Sequence, residues 1–231
     1  MSQVLCPGTI LLDLGIMGFR IALVLVMGLM SSAAAAEDVG RTLSRIENRW
    51  VDIRYVMTDD KDRLIASRDL REDSRVLLAD HPDDLEVKFW HAMVLLLEAE
   101  YKRDIGALRF VNRAKGLFEE IEAQNPRLLD GRAYTGLGML YSDVPAWPIA
   151  FGDDKKAAVY FHKALDINPA GQEANYLYAD FLLTRKKPAE AIPYFEAALR
   201  APIRPGHERA DQFRQKEVEK DLAAARKEIR P

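Results

Sequence analysis

Residues 134–202, YTGLGMLYSDVPAWPIAFGDDKKAAVYFHKALDINPAGQEANYLYADFLLTRKKPAEAIPYFEAALRAP, carry one helical-hairpin pattern twice. The first copy runs Tyr134-x2-Leu137-Gly138-x2-Tyr141, then Ala157-x3-Phe161-x2-Ala164-x4-Pro169. The second runs Asn175-x2-Tyr178-Ala179-x2-Leu182, then Ala191-x3-Phe195-x2-Ala198, closed by Pro202. In each copy a small residue sits where two helices must touch. An aromatic wedges against the next hairpin, and a proline ends the second helix.

Working outward, the helix-ending prolines act as a ruler. Pro169 to Pro202 is 33 residues, close to the tetratricopeptide period, while Pro126 to Pro169 is 43 and Pro82 to Pro126 is 44. The longer units read as the same hairpin with an enlarged turn. Gly138 to Ala157 exceeds Ala179 to Ala191 by seven residues, and Ala92 to Ala114 exceeds it by ten. Ala114-x3-Phe118 keeps the pattern in the second unit, with Ile121 where the later units have Ala164 and Ala198. The unit over about 39–82 keeps it only weakly. Nothing alternates with a period of two, and almost every segment past residue 37 reads as helix. The expected fold is all-α: a tetratricopeptide-like solenoid of about four hairpins, two with enlarged turns, and a C-terminal capping helix. Asp59 or Asp60, Asp83 or Asp84, and Asp153 are expected to open helices as N-caps.

The two ends read differently. Arg20 precedes an apolar run, Ile21 to Met30, followed by small residues and an Ala34-x-Ala36 site, which describes a secretory signal over 1–36 cleaved before Glu37. The run is too short to span a bilayer. Upstream of Met17 there is no basic residue, and Asp13 fits a signal poorly, so Met17 is the expected start. An uncleaved anchor reaching back to Thr9 would hold Asp13 and Arg20 in lipid. The repeat domain is then 37–205, and 206–231 forms the cap, with Phe213, Val218, Leu222, Ala225 and Ile229 at helical spacing. The single cysteine, Cys6, lies in the segment removed, so the exported chain has no thiol. With 33 basic against 36 acidic residues and no long run of one sign, a nucleic-acid stripe and a polybasic membrane patch are disfavoured.

Two surfaces are candidates for function. The enlarged turns, Glu100–Gly106 and Ser142–Asp153, are expected on one edge, where Trp147 between prolines is either a contact or a lid and Phe151 folds back as a lid. The inner groove is the other. Positions one past the first aromatic of the pattern, and four further on, face inward: Phe89 and Met93, Thr135 and Met139, Tyr176 and Asp180. A groove of Met and aromatics suits a peptide, a helix or an apolar small molecule, unless these side chains are simply core.

Catalysis finds no foothold in the sequence. His81, His91, His162 and His207 show no metal-ligand spacing, and no nucleophile elbow or phosphate-cradling glycine loop occurs. The expectation is a binding protein and not an enzyme, with no cofactor and no metal.

At Gly131-Arg-Ala-Tyr134 to Tyr141, Val144-Pro-x-Trp147-Pro-Ile-x-Phe151-Gly-Asp-Asp154, Asn175 to Leu182 and Pro202-x-Arg204-Pro205-Gly, the chain resembles a group of exported tetratricopeptide proteins of Gram-negative bacteria. More distantly it is similar to the T-components of TRAP transporters, periplasmic helical-repeat partners of solute-binding proteins that handle small ligands, apolar ones included. Those are lipid-anchored, and no cysteine here is placed for that. The resemblance implies the fold and a periplasmic location. The function expected is a scaffold that binds an envelope or periplasmic protein or peptide through its groove. The alternative is a transporter accessory that handles a small ligand, which requires a closed apolar cavity beneath the enlarged turns.

Overall fold

The computed structural model describes residues 38–146 and 148–229. The export segment, Cys6 and Trp147 lie outside the described residues. The chain divides into two units, Met1–Ser44 and Arg45–Pro231. Of the first, residues 38–44 are described and helical, and the Ser44 hydroxyl donates to the Gly40 carbonyl.

The second unit is all-α, with no strand among the described residues. Helical residues 45–51 (α1) pass into a π turn at Asp52–Val56. There follow α2 (Asp60–Asp80), α3 (Leu85–Lys102), α4 (Leu108–Gln124), α5 (Arg132–Asp143), α6 (Asp154–Ile167), α7 (Gln172–Thr184), α8 (Pro188–Arg200) and α9 (Glu208–Glu228). Aspartates start three of them. The carboxylates of Asp59, Asp84 and Asp153 each accept from two backbone amides of the first turn. Prolines stop four. His81, Asn125, Asn168 and Ala201, each preceding a proline, leave the helical region because the proline ring crowds it there.

Sequence-adjacent helices pack on each other along the unit, and α7 also meets α5 and α9. The small residues of the repeat pattern lie at these contacts, with Ala114, Ala157, Ala164, Ala191 and Ala198 fully buried. The wedging aromatics Phe118, Phe161 and Phe195 are equally enclosed. Phe118 reaches across to the next hairpin and lies on Gly136, where a Cβ would come within 2.6 Å of its ring. Phe161 lies as tightly on Gly138 of its own hairpin and packs on Phe181 at 5.5 Å. Burying one such ring contributes about 2–3 kcal/mol, so the three wedges are a large part of the cohesion.

Two details differ from the sequence reading. The residues added to the hairpin at 85–124 mostly lengthen α3, which runs to Lys102 and takes in Glu100 and Tyr101; only a short 3-10 turn at Ile105–Ala107 is left as connection. On α9, Val218, Leu222 and Ala225 are buried but Ile229 is exposed. Phe213 leaves that stripe to stack on Tyr55, with ring centres 5.1 Å apart and planes parallel.

That stack is one of several contacts joining the start of the unit to its last helix. The Tyr55 hydroxyl donates to Glu217 at 3.0 Å, Arg54 lies 3.6 Å from the same carboxylate, and Arg209 pairs with Asp52. His207 Nδ1 lies 2.7 Å from Glu47. Helices α1 and α9 thereby meet over the inner faces of α3, α5 and α7.

Candidate functional site

Beneath this closure lies a cavity of about 530 Å3, within the range that small organic ligands occupy. Phe89, Met93, Thr135, Met139, Tyr176 and Asp180 all line it. The helical period explains why: each pair sits four residues apart on one face of its helix, and that face of α3, α5 and α7 lines the cavity. Phe89, Thr135 and Tyr176 are mostly buried, while Met139 and Asp180 keep partial exposure. Trp147 lies outside the described residues.

The enlarged turns border the same cavity. Ala107 and Leu108 line it on one side, Val144 and Pro145 on the other. The second turn is closed on itself: the Gly152 amide donates to the Pro145 carbonyl at 3.0 Å and the Asp153 amide to the Tyr141 carbonyl at 2.8 Å. Phe151 folds back edge-on against Tyr141, 5.4 Å between ring centres.

Along each helix the lining changes character. One turn before Thr135 and Tyr176 stand Arg132 and Glu173; the middle holds Met93, Met139 and Leu177; Asp180, one turn past Tyr176, and Asp143, the last residue of α5, follow. The site therefore has a charged inner end, an apolar waist and an acidic outer end. First and last residues of α5 are about 16 Å apart along the helix.

The inner end gathers Arg132, Glu173, Arg204, Asp211, Arg214 and Glu47 round a void of about 20 Å3, room for one water molecule. The carboxylates there have direct partners. Glu173 pairs with Arg214 at 3.2 Å, Asp211 with Arg204 at 2.5 Å, and Glu47 with His207. Arg214 also donates to Glu217 at 2.6 Å and lies 4.4 Å over the Tyr176 ring. Burial works against its charge, but Glu173, Tyr55 and Glu217 outweigh that and hold it firmly protonated. Glu173 is held below the usual carboxylate range because Arg214 and Arg132 outweigh its burial.

Arg132 is different. Its guanidinium packs 4.8 Å over Phe89 and 5.8 Å over Trp90, and its buried Nε, like that of Arg214, has no hydrogen-bond partner. Desolvation pulls its pKa below the ordinary arginine value, only partly offset by Glu173 and Glu47. Its backbone approach is unusual too. Leu129, Asp130 and Gly131 have φ of 48°, 57° and 78°, a left-handed turn that costs a non-glycine residue about 1–2 kcal/mol. At Gly131 a Cβ would also press on Ile167.

At the outer end, burial together with Asp221 and Asp143 pushes Asp180 up to about 6. Asp143 is raised by its own burial, against the pull of Arg185. Tyr176 is raised well above an ordinary phenol by desolvation and donates to Asp221 at 3.0 Å.

Sequence reading passed over Arg132, Glu173 and Arg214. A signal was present for two of them: extending the inward stripe back one turn from Thr135 and Tyr176 lands on Arg132 and Glu173. Arg214 comes from α9, and nothing local tells which face of that helix meets α7.

Among the described residues no group of three or more His, Cys, Asp or Glu side chains is placed to hold a metal ion, and no helix is long and apolar enough to cross a membrane. No protein-family model and no curated protein matches the sequence.

Proposed function

We propose that the hairpins form a tetratricopeptide-like solenoid whose inner groove is closed into a binding chamber for a small organic ligand, in an exported protein. The observation that carries this reading is the 530 Å3 cavity, with its apolar waist, under both enlarged turns. An extended peptide needs a groove open at both ends, and Trp50, Arg54 and Arg214, from the two joined ends of the unit, line this one. A lining of this kind supports a small ligand more than an extended peptide.

The test uses N-phenyl-1-naphthylamine, a neutral apolar fluorophore, titrated into the folded protein. Saturable binding at one site is expected, abolished by Met139→Trp, which fills the waist. Absence of binding, or binding indifferent to Met139→Trp, overturns the reading.

A partner protein has its own support. Each enlarged turn bares one isoleucine, Ile105 at 87% and Ile149 at 69% exposure. Exposed apolar side chains on turns suit docking of an envelope protein that delivers or collects the ligand. Ile105→Asp with Ile149→Asp should then abolish crosslinking to that partner while leaving fluorophore binding intact; unchanged crosslinking removes this second reading.

A further inference from the structure

We infer that the ligand is an amphipathic organic acid, a monocarboxylate whose head group seats on Arg132 while its apolar body lies along Phe89, Met93, Met139 and Leu177. This rests on the cavity reading above and adds the chemistry of the head group.

The argument begins with charge. A half-buried guanidinium with an enclosed, unpartnered Nε and no direct carboxylate is costly, and proteins rarely keep one without use. The carboxylates around Arg132 make their direct bonds elsewhere, to Arg214, Arg204 and His207. A water in the adjoining 20 Å3 void would satisfy a hydrogen bond but brings no charge. A carboxylate brings both, in the planar two-oxygen geometry that matches a guanidinium fork.

Position supports the same occupant. Arg132 is the first residue of α5, where the helix dipole disfavours a cation and favours an anion. No side chain caps that end, because the N-cap is Gly131, so the first amides of the helix are free of side-chain acceptors. The left-handed turn at Leu129–Gly131 spends backbone energy immediately before this residue. Strain of that kind collects where a side chain must be aimed.

The alternatives fit less well. A doubly charged phosphate would crowd the carboxylates of Glu173 and Glu47. A primary amine would be repelled by Arg132 and drawn to the opposite end, beside Asp143 and Asp180. One negative charge on an apolar chain suits both the inner end and the waist.

The experiment compares octanoate with 1-octanol, each competing against N-phenyl-1-naphthylamine in wild type, Arg132→Gln and Arg132→Lys. Octanoate should displace the probe from the wild type at lower concentration than octanol. In Arg132→Gln its affinity should fall about thirtyfold or more, with octanol and the probe unchanged, since the loss of a buried charge partner is large. Arg132→Lys, which keeps the charge but not the fork, should fall between. If octanoate and octanol compete equally and neither responds to Arg132→Gln, the cavity reading stands and the carboxylate inference is overturned. If the probe binds and octanoate fails to displace it, the inference is likewise overturned. If the probe itself does not bind the wild type, the cavity reading falls and this inference falls with it. Probe binding by the variants shows that they are folded, so a loss confined to octanoate is a loss of recognition.

Discussion

Arg132 and Arg214 share a cavity wall and differ in company, and that difference sets opposite expectations for their neighbourhood. Arg214 is held by Glu173 and Glu217. Removing the Glu173 charge takes away a carboxylate that both Arg214 and Arg132 feel, so Glu173→Gln should lower stability by about 3 kcal/mol, read as a drop in Tm of roughly 6–12 °C. Arg132→Met removes an isolated charge and keeps the volume. Its Tm should be unchanged or higher, the lost stacking on Phe89 and Trp90 offsetting part of the gain. A large fall would mean that Arg132 is a structural ion-pair member after all. A third residue gives a pH test. His91 is buried and hydrogen-bonded to the Ser74 hydroxyl at 2.8 Å; desolvation first, then Arg113, Arg71 and Arg75, push its pKa down to about 4. The unfolded chain takes up this proton near 6.5 and the folded one only near 4. Stability is therefore complete above about pH 6.5 and declines as pH falls toward 4, by about 3 kcal/mol for this group. Asp180, raised to about 6, works the other way, because its folded form holds a proton that the unfolded form has released. The clean measure is thus the difference between wild type and His91→Gln in urea unfolding. The wild type should lose more stability than the variant between pH 7 and pH 4.5, and parallel curves would show that His91 protonates freely in the folded state.

At the scale of elements, the turn between α5 and α6 shows how a long insertion is kept compact. Its closing amides run back to Pro145 and Tyr141, and Gly152 sits so close to the backbone that a Cβ would lie 1.9 Å from the Val144 carbonyl oxygen. No flexible side chain is available to yield there. Gly152→Ala should cost about 1–3 kcal/mol and loosen the turn, seen as faster amide exchange at Asp153 in hydrogen-exchange measurements; an unchanged Tm and exchange rate would mean that the turn shifts freely. The helices were largely legible in the sequence, since caps such as Asp59, Asp84 and Asp153, and stops such as Pro82, Pro126 and Pro169, are local chemistry. The length of α3 was not. Its last turn through Tyr101 looks like an insert when hairpins are compared by spacing, because an added helical turn and an added loop lengthen the chain alike. The inner stripe from Phe89 to Asp180 was readable from the helical period. Its charged beginning at Arg132 and Glu173 lay one turn back on the same stripe and was readable in the same way; the left-handed turn before Arg132 was not, because Leu129 carries no sequence signal for positive φ.

For the second unit as a whole, the decisive feature is that residues 47–55 and 207–217, some 160 positions apart, share one interface. Repeat patterns describe neighbours and are silent about such meetings, which depend on accumulated curvature. The interface has an apolar centre, Tyr55 stacked on Phe213, ringed by polar contacts from Glu217 to Tyr55 and Arg54, from Asp52 to Arg209 and from Glu47 to His207. An exposed ion pair such as Asp52–Arg209 contributes little, and the stack should carry most of the closure. Tyr55→Leu and Phe213→Leu, alone and combined, measure that in a double-mutant cycle. Aromatic pairs couple by about 0.5–1.5 kcal/mol beyond the area they bury, so a coupling near 1 kcal/mol is expected in urea unfolding. Closure also has a kinetic consequence. If the stack gates the chamber, the double variant should release N-phenyl-1-naphthylamine faster than wild type in stopped flow, while the binding rate changes less. A coupling near zero with an unchanged release rate would mean that the two ends lie against each other without gating, and that the ligand passes instead between the enlarged turns.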